Sequence, residues 1–283
     1  TASLNIADIL INIKEFLFEK NNKDQDELLL REIGKITESE HVVLSNSMRS
    51  VLLKSLEFFK KEYPNKNELI IPEYSFHSNL SCAIKNKYIV KFAPVNKKTL
   101  FIDEKKLEKL INKKTLGIII THLHGQIYDL NKIKEIIDKY QLIIFEDCAH
   151  SFPIKYQNNK KRQNNNFSIK LLSFGSGKFV TAFGGGALAC NNQKLSKYLN
   201  SSLKRTKNNL LENTSTLIKT CLYILISQPI IAFFTLKPTL AFSYLLKNKK
   251  VEDNNFDKSS YKPKYIEDMN KLQKKILSLQ IIN

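Results

Sequence analysis

The sequence predicts an α/β protein with a mainly parallel sheet that is covered by helices on both faces. Short apolar runs rich in β-branched residues recur along the chain, and segments with the spacing of amphipathic helices lie between them. Strands that are joined by helices of this length pair in parallel, because each crossover returns the chain to the same edge of the sheet. With 283 residues, 42% of them hydrophobic, the chain can also bury a large core.

The elements follow a regular order after two predicted helices, over residues 6–20 and 25–36. The strands are predicted over residues 41–44, 69–72, 89–93, 116–121 and 142–147. The helices between them are predicted over residues 48–61, 76–85, 107–111 and 130–140. Ligands of such sheets bind at the carboxyl ends of the strands, so the loops after the strands are where we look for chemistry.

Lys178 lies in a glycine-rich stretch between two apolar segments. Gly175 and Gly177 precede it, and residues 184–186 are all glycine, so the backbone can turn sharply and approach a ligand closely. An apolar pocket disfavours a charged amine, and the neutral amine can attack an aldehyde to form a Schiff base. The pattern therefore favours a lysine that carries pyridoxal phosphate (PLP), whereas most other lysines of this chain belong to exposed runs.

Asp147 ends the apolar run 142–147 and could serve the same cofactor. A carboxylate at this place can keep the pyridine nitrogen protonated, and the alternative is an aspartate that only caps a turn. His150 could contact the phenolic oxygen of the cofactor, or it could be a structural histidine. Ser47 precedes a helix, where a cap hydroxyl and free amides suit a phosphate, although an ordinary N-cap looks the same.

These motifs resemble those of the DegT-type family of PLP-dependent sugar aminotransferases. The similar segments are residues 47–52, 72–76, 121–126 with Asp129, 145–151, 173–174 with Lys178, and 269–273. The resemblance implies an α/β fold of PLP fold type I, like aspartate aminotransferase, and a homodimer. It also implies transfer of an amino group, expected from glutamate, to a nucleotide-linked keto-sugar in cell-surface polysaccharide or related biosynthesis. Family members that dehydrate sugars have histidine at the position of Lys178, so the lysine favours transamination.

The resemblance assigns roles to individual residues. Lys178 would bind the PLP aldehyde and Asp147 would hold the pyridine nitrogen, and these two are the expected catalytic residues. Phe76 would stack on the ring, while Ser173 and the amides around residues 47–50 would hold the phosphate. The full expected cofactor site consists of Ser47, Met48, Arg49, Phe76, Asp147, His150, Ser173 and Lys178.

Several departures from the family pattern bear on the substrate rather than the cofactor. Met48 and Arg49 replace a Gly-Thr pair, so a hydroxyl is lost and a cation is gained. Ile169 and Lys170 stand where the family has Asp and Ala. These changes leave the predicted cofactor site intact. A different class of function also stays open, in which a catalytically degenerate homologue acts as a binding or scaffold protein at membrane polysaccharide assembly.

The match also suggests how the chain is organised. We expect a PLP-binding large domain (1–207), an apolar helical insertion with a polar linker (208–264) and the start of a C-terminal small domain (265–283). Because the chain begins at Thr1 and matches only part of the family pattern, we expect a fragment that lacks most of that small domain.

The charge and the cysteines limit the classes of partner. A net charge of +18 fits either a biased composition or an anionic partner such as a membrane surface or a nucleotide substrate. The lysines are scattered, and no basic stretch is interleaved with aromatic residues, so we expect no nucleic acid. The four cysteines form no CxxC pair, which favours reduced structural thiols in a cytoplasmic protein and no metal site.

Residues 217–246 do not fit a plain soluble enzyme. They contain 17 consecutive uncharged residues, 220–236, and then a second apolar stretch after Pro238. A spanning helix needs about 20 apolar residues, and Pro229 lies within the first stretch, so a membrane span is not expected. Two explanations stay open: helices that lie on the inner face of the membrane with lysines toward the headgroups, or a surface that packs against protein.

Overall fold

The computed structural model describes residues 23–153, 168–204 and 266–282, together with the single positions Thr216, Ile218 and Leu222. The predicted helix over residues 6–20 and nearly all of the predicted insertion and linker, 208–264, lie outside the described residues. Within the described residues, no helix combines the length and the apolar character that a bilayer crossing requires.

The described elements alternate between strands and helices, as the sequence predicts. The strands of the main sheet are β1 (His41–Ser45), β2 (Glu68–Pro72), β3 (Ile89–Ala93), β4 (Thr115–Thr121), β5 (Ile143–Asp147), β6 (Ser168–Ser173) and β7 (Gly186–Cys190). The helices are α1 (Lys23–Thr37), α2 (Met48–Glu62), α3 (His77–Lys85), α4 (Glu104–Leu107), α5 (Lys134–Tyr140), α6 (Gln193–Ser202) and α7 (Lys271–Ile281). Two predicted helices are partly 3-10 helix, at Glu108–Leu110 and Leu130–Ile133.

The seven strands form one sheet in the order β1-β7-β6-β5-β4-β2-β3. Only β7 runs against its neighbours, and all other neighbouring pairs are parallel. The carboxyl ends of β1 to β6 therefore meet at one edge of the sheet, and β7 begins at that same edge. The predicted mainly parallel α/β architecture is confirmed.

Both faces of the sheet are buried, as expected for a parallel sheet. Phe145 of β5 packs against α2, where it meets Phe59 edge-on with ring centroids 5.8 Å apart. Its neighbour Ile144 belongs to a second cluster with Ile137 of α5, on the opposite face of the sheet. Successive side chains of a strand point to opposite faces of the sheet, so one apolar run can contribute to the hydrophobic clusters on both faces.

The last described segment, residues 266–282, packs on the large unit. Leu272, Ile276 and Leu277 of α7 share a buried cluster with Leu29 and Ile33 of α1. A short parallel pair, β8 (Leu203–Lys204) and β9 (Ile266–Glu267), ties the start of this segment to the end of α6. The assignment of residues 265–283 to a small domain stays a prediction.

The described cysteines are structural. Cys82, Cys148 and Cys190 are free and buried, and Cys221 lies outside the described residues. Burial raises the pKa of the Cys82 thiol to about 12 and that of Cys190 to about 11. These thiols therefore stay protonated near neutral pH, in agreement with the expected reduced thiols.

Gly117 allows β4 and β5 to approach each other closely, and this contact gives a stability prediction. A Cβ at position 117 would lie 2.0 Å from the carbonyl oxygen of Ile143, which is a backbone atom that cannot move alone. We expect Gly117→Ala to lower the free energy of unfolding by about 1–3 kcal/mol, measured by urea denaturation. Gly175→Ala is the control, because its Cβ would meet only the Ser173 hydroxyl oxygen at 3.7 Å. Equal denaturation midpoints for the two variants would contradict the prediction.

Candidate active site

The loop between β6 and β7 carries Lys178 at the carboxyl edge of the sheet. Phe174 anchors the loop, because its side chain is fully buried and its carbonyl oxygen accepts the amide of Ala182 at 2.9 Å. Gly177 (φ +79°) and Gly185 (φ +87°) adopt the left-handed conformation that glycine tolerates best. The glycines noted in the sequence thus give the loop its sharp turns beside Lys178.

Lys178 is half-buried, and its amine contacts His150. Nζ of Lys178 lies 3.1 Å from Nε2 of His150. Burial and the nearby charge of Lys178 lower the pKa of His150 below its ordinary value of 6.5. The ring nitrogen of His150 is therefore placed to accept a hydrogen bond from the amine of Lys178. The ring of His124 lies edge-on to His150, with centroids 5.8 Å apart.

Asp147 is the last residue of β5, and only 3% of its surface is exposed. One carboxylate oxygen, Oδ1, accepts the backbone amide of Ala149 at 3.1 Å, and this is the local turn contact that the alternative interpretation expects. The other oxygen, Oδ2, accepts the side-chain amide of Asn79 of α3 at 2.9 Å. The carboxylate therefore does more than cap a turn, since it is also held by another element of the fold.

A layer of buried polar residues lies next to Asp147. His122 and Glu146 are fully buried and form a hydrogen bond of 3.0 Å between Nε2 and Oε2. Nδ1 of His122 accepts the amide of Tyr128 at 3.1 Å, so Nε2 carries the ring proton and donates it to Glu146. Ser168 donates to the other carboxylate oxygen of Glu146. The amide of His122 also donates to the carbonyl oxygen of Asp147 at 3.0 Å, which fixes the end of β5.

The N-terminus of α2 lies next to the start of β7. Ser47 is the N-cap, since its hydroxyl oxygen accepts the amide of Ser50 at 3.2 Å. Ser47 forms a bridge with Gly185, and Ser173 pairs in register with Gly186. Ser47 and Ser173 therefore both pair through their backbones with the Gly185–Gly186 segment. Ser47 can cap α2 while other amides of the first helical turn bind an anion, so the two roles of this helix end are compatible.

The remaining predicted cofactor residues lie in different surroundings. Phe76 is 54% exposed at the start of α3, with its ring 4.2 Å from that of His77. The Met48 side chain is buried in the core, so this residue can offer only its backbone amide. Arg49 is half-buried and lines a groove with residues of α3, including Ser81 and Lys85.

The residues present fit PLP. Lys178 supplies an amine for the aldehyde, and Asp147 supplies a buried carboxylate whose two oxygens each accept one of the hydrogen bonds described above, which leaves room for a pyridinium N–H. The start of α2 offers hydroxyl and amide donors to a phosphate. These groups lie along the carboxyl edge of the sheet, which is the edge at which the sequence analysis expects a ligand.

Sequence reasoning missed Asn79, which contacts Asp147 directly. A signal was present, because Asn79, Cys82 and Ala83 have helical spacing and form the buried face of α3. A polar residue on a buried helix face needs a partner, and here the partner is the carboxylate of the site.

Comparisons with known proteins agree with this geometry. The family model described as the DegT/DnrJ/EryC1/StrS aminotransferase family matches residues 21–214. A UDP-4-amino-4,6-dideoxy-N-acetyl-beta-L-altrosamine transaminase from Helicobacter pylori is 28% identical over 187 residues, which are 66% of this chain and 48% of that protein. A dTDP-4-amino-4,6-dideoxy-D-glucose transaminase from Shigella dysenteriae is 28% identical over 188 residues, with the same coverage of 66% and 48%.

The solved structures give the same result. Helicobacter pylori PseC, titled an aminotransferase involved in the biosynthesis of pseudoaminic acid, superposes with a TM-score of 0.61 at 26% identity. The match covers 69% of this chain and 52% of that chain. The present chain spans about half the length of the relatives it matches.

The fold is therefore that of the PLP fold type I aminotransferases, and the candidate lysine and carboxylate lie at the carboxyl edge of its mainly parallel sheet. Within that class, the chain belongs to the DegT/DnrJ/EryC1/StrS aminotransferase family.

The contact between Lys178 and His150 gives a pH prediction. In the protein without cofactor, we expect His150 to titrate below pH 6.5, because burial and the Lys178 charge both oppose its protonation. Lys178→Ala should raise the pKa of His150, since one nearby positive charge is removed. The measurement is an NMR titration of the imidazole signal, with Lys139→Ala as the control at an exposed, remote lysine. An unchanged His150 pKa in Lys178→Ala would refute the assigned contact.

Proposed function

We propose that the protein is a PLP-dependent aminotransferase that moves an amino group, with glutamate as the donor, to a nucleotide-linked keto-sugar. The observation that carries this proposal is the position of Lys178 in a member of this family. Its amine lies beside His150, in the loop that follows β6, while Asp147 is buried at the end of the neighbouring strand β5.

The proposed roles follow from the contacts. Bound PLP supplies an electron sink for negative charge at the reacting carbon of the substrate. Asp147 would accept a hydrogen bond from the ring nitrogen and keep its proton in place. Lys178 would hold the cofactor and, as a free amine, move a proton to or from the substrate carbon that gains or loses the amino group. His150 would take or return a proton at the Lys178 amine.

The phosphate and the ring would be held by separate parts of the fold. The hydroxyls of Ser47 and Ser173, with the first amides of α2, would bind the phosphate through hydrogen bonds and the positive end of the helix. Phe76 would cover one face of the ring, which its exposure at the edge of the site permits.

The nucleotide-linked sugar as substrate is supported by the names of the relatives, which are transaminases of UDP- and dTDP-linked amino sugars. Another relative, from Salmonella typhimurium, is a lipopolysaccharide biosynthesis protein, which fits a role in polysaccharide assembly. Nothing in the described residues favours the alternative of a scaffold without cofactor.

We also propose that two copies of the chain pair across the site. Tyr74, Phe76 and Phe179 expose 46%, 54% and 56% of their surfaces around the carboxyl edge of the sheet. Large exposed aromatic side chains favour contact surfaces, and a second copy would bury Tyr74 and Phe179 and exclude water from the site.

A contact of residues 217–246 with the inner face of the membrane belongs to the same proposal. Ile218 and Leu222, which are described helical positions in this segment, expose 58% and 51% of their surfaces. The lysines that frame the segment, such as Lys247, would then face anionic headgroups.

The chemistry is tested with Lys178→Ala. We expect loss of the visible absorbance of bound PLP and at least a hundredfold loss of amino transfer, with an unchanged circular dichroism spectrum. The assay combines glutamate with a panel of nucleotide-linked keto-sugars, and Lys139→Ala serves as the matched lysine control. Normal turnover by Lys178→Ala would overturn the proposal.

The membrane contact is tested by flotation with anionic and neutral vesicles. Deletion of residues 217–246 should abolish flotation with anionic vesicles, and neutralising Lys247, Lys249 and Lys250 should weaken it by about 1 kcal/mol per lysine in a salt-dependent way. Light scattering should give a dimer for both proteins. If the deletion variant floats as well as the intact protein, or if the deletion breaks the dimer, the segment is a packing element.

A further inference from the structure

We propose that Asn79 is a positioning residue that holds the Asp147 carboxylate in place for the ring nitrogen of PLP, an inference that rests on the proposed function. Asn79 is the third residue of α3, and its side chain is completely buried. Its Nδ2 atom donates to Oδ2 of Asp147 at 2.9 Å and to the hydroxyl oxygen of Ser75 at 3.0 Å.

The contacts fix the orientation of the Asn79 amide. An ionised carboxylate can only accept hydrogen bonds, so the NH2 end of the amide must face Asp147. The second N–H is used by Ser75, whose hydroxyl oxygen lies 3.3 Å from that of Thr121 at the end of β4. Asn79 is therefore held between the loop before α3 and the carboxyl edge of the sheet.

The other end of the same amide is not satisfied. Oδ1 of Asn79 is buried without a hydrogen-bond partner. A buried acceptor without a partner destabilises a protein, and an apolar residue of similar size would avoid that loss. Core stability therefore does not explain an asparagine at position 79. Residues that are unfavourable for stability are often found where they are needed for function. Here the asparagine supplies a hydrogen-bond donor to Asp147.

The donor restrains the Asp147 carboxylate. Its Oδ2 atom is held by Asn79 of α3, while its Oδ1 atom is held by the amide of Ala149 in the local turn. Because different parts of the fold hold the two oxygens, the carboxylate stays in one orientation and can accept a hydrogen bond from the ring nitrogen of PLP. Asn79 touches Asp147 and acts through it.

The test is a double-mutant cycle of Asn79→Leu and Asp147→Asn in the purified protein. Two quantities are measured: the affinity for PLP, by titration, and the NMR signal of the ring nitrogen in 15N-labelled PLP. We expect Asn79→Leu to weaken PLP binding about tenfold and to shift the nitrogen signal toward the unprotonated form, because the carboxylate is no longer held in place for the ring nitrogen. The denaturation midpoint should fall as well, since Oδ2 of the buried Asp147 loses its donor. In the Asp147→Asn background, the same substitution should change binding by less than about twofold.

Asn86→Leu is the matched control, because Asn86 also lies at α3 but its amide donates to the carbonyl oxygens of Leu53 and Cys82. This variant should lower stability and leave the nitrogen signal unchanged. Asn79→Asp, which keeps the shape but places a second carboxylate beside Asp147, should impair PLP binding at least as much as Asn79→Leu.

The outcomes separate the two proposals. If Asn79→Leu has the same effect with and without Asp147, or leaves the nitrogen signal unchanged, the positioning role is overturned while the proposed function stands. If Asp147→Asn alone alters neither PLP affinity nor the nitrogen signal, the assignment of the site itself is overturned, and the role of Asn79 with it.

Discussion

The close approach of α2 to β7 is the constraint on which the rest of the site depends. A Cβ at Gly186 would lie 2.1 Å from the backbone nitrogen of Met48, so only glycine lets the first turn of α2 rest directly on the sheet. This seating places the N-terminus of α2 beside the loop that carries Lys178. It also positions the hydrogen-bond donors of α2 for a phosphate, while the end of β5 provides the carboxylate of Asp147.

The two unusual residues at the start of α2 are compatible with this seating. The Met48 side chain goes into the core beneath the helix, and Arg49 lines the groove toward α3. Neither substitution removes the amides or the Ser47 hydroxyl that the helix end presents. The cation gained at position 49 therefore changes the surroundings of the site more than the cofactor contacts themselves.

Most of the fold could be predicted from the sequence, and so could the edge of the sheet at which the candidate site residues lie. The strands that end at Ser45, Thr121 and Asp147 are apolar runs that stop at a polar residue, and parallel pairing then brings their ends together. Lys178 can be identified in the sequence because glycines lie on both sides of it. Contacts that depend on pairing in three dimensions have no such pattern, and the bond between Asn79 and Asp147 is an example.

The buried pair of His122 and Glu146 shows a similar limit. Both residues belong to motifs noted in the sequence, yet their contact follows from the register of β4 and β5, in which Thr121 pairs with Asp147. Periodicity predicts which residues are buried, but it does not state which polar side chains meet.

The side chain of Gln280 in α7 forms two hydrogen bonds with the backbone of Thr181, in the loop that carries Lys178. It accepts a hydrogen bond from the Thr181 amide at 3.1 Å and donates one to the Thr181 carbonyl oxygen at 2.7 Å. These partners are 99 residues apart in the chain. During synthesis, the loop and the strands on either side of it leave the ribosome well before Gln280. The large sheet can therefore assemble early, while the loop gains its final support only when the nascent chain has extended past α7.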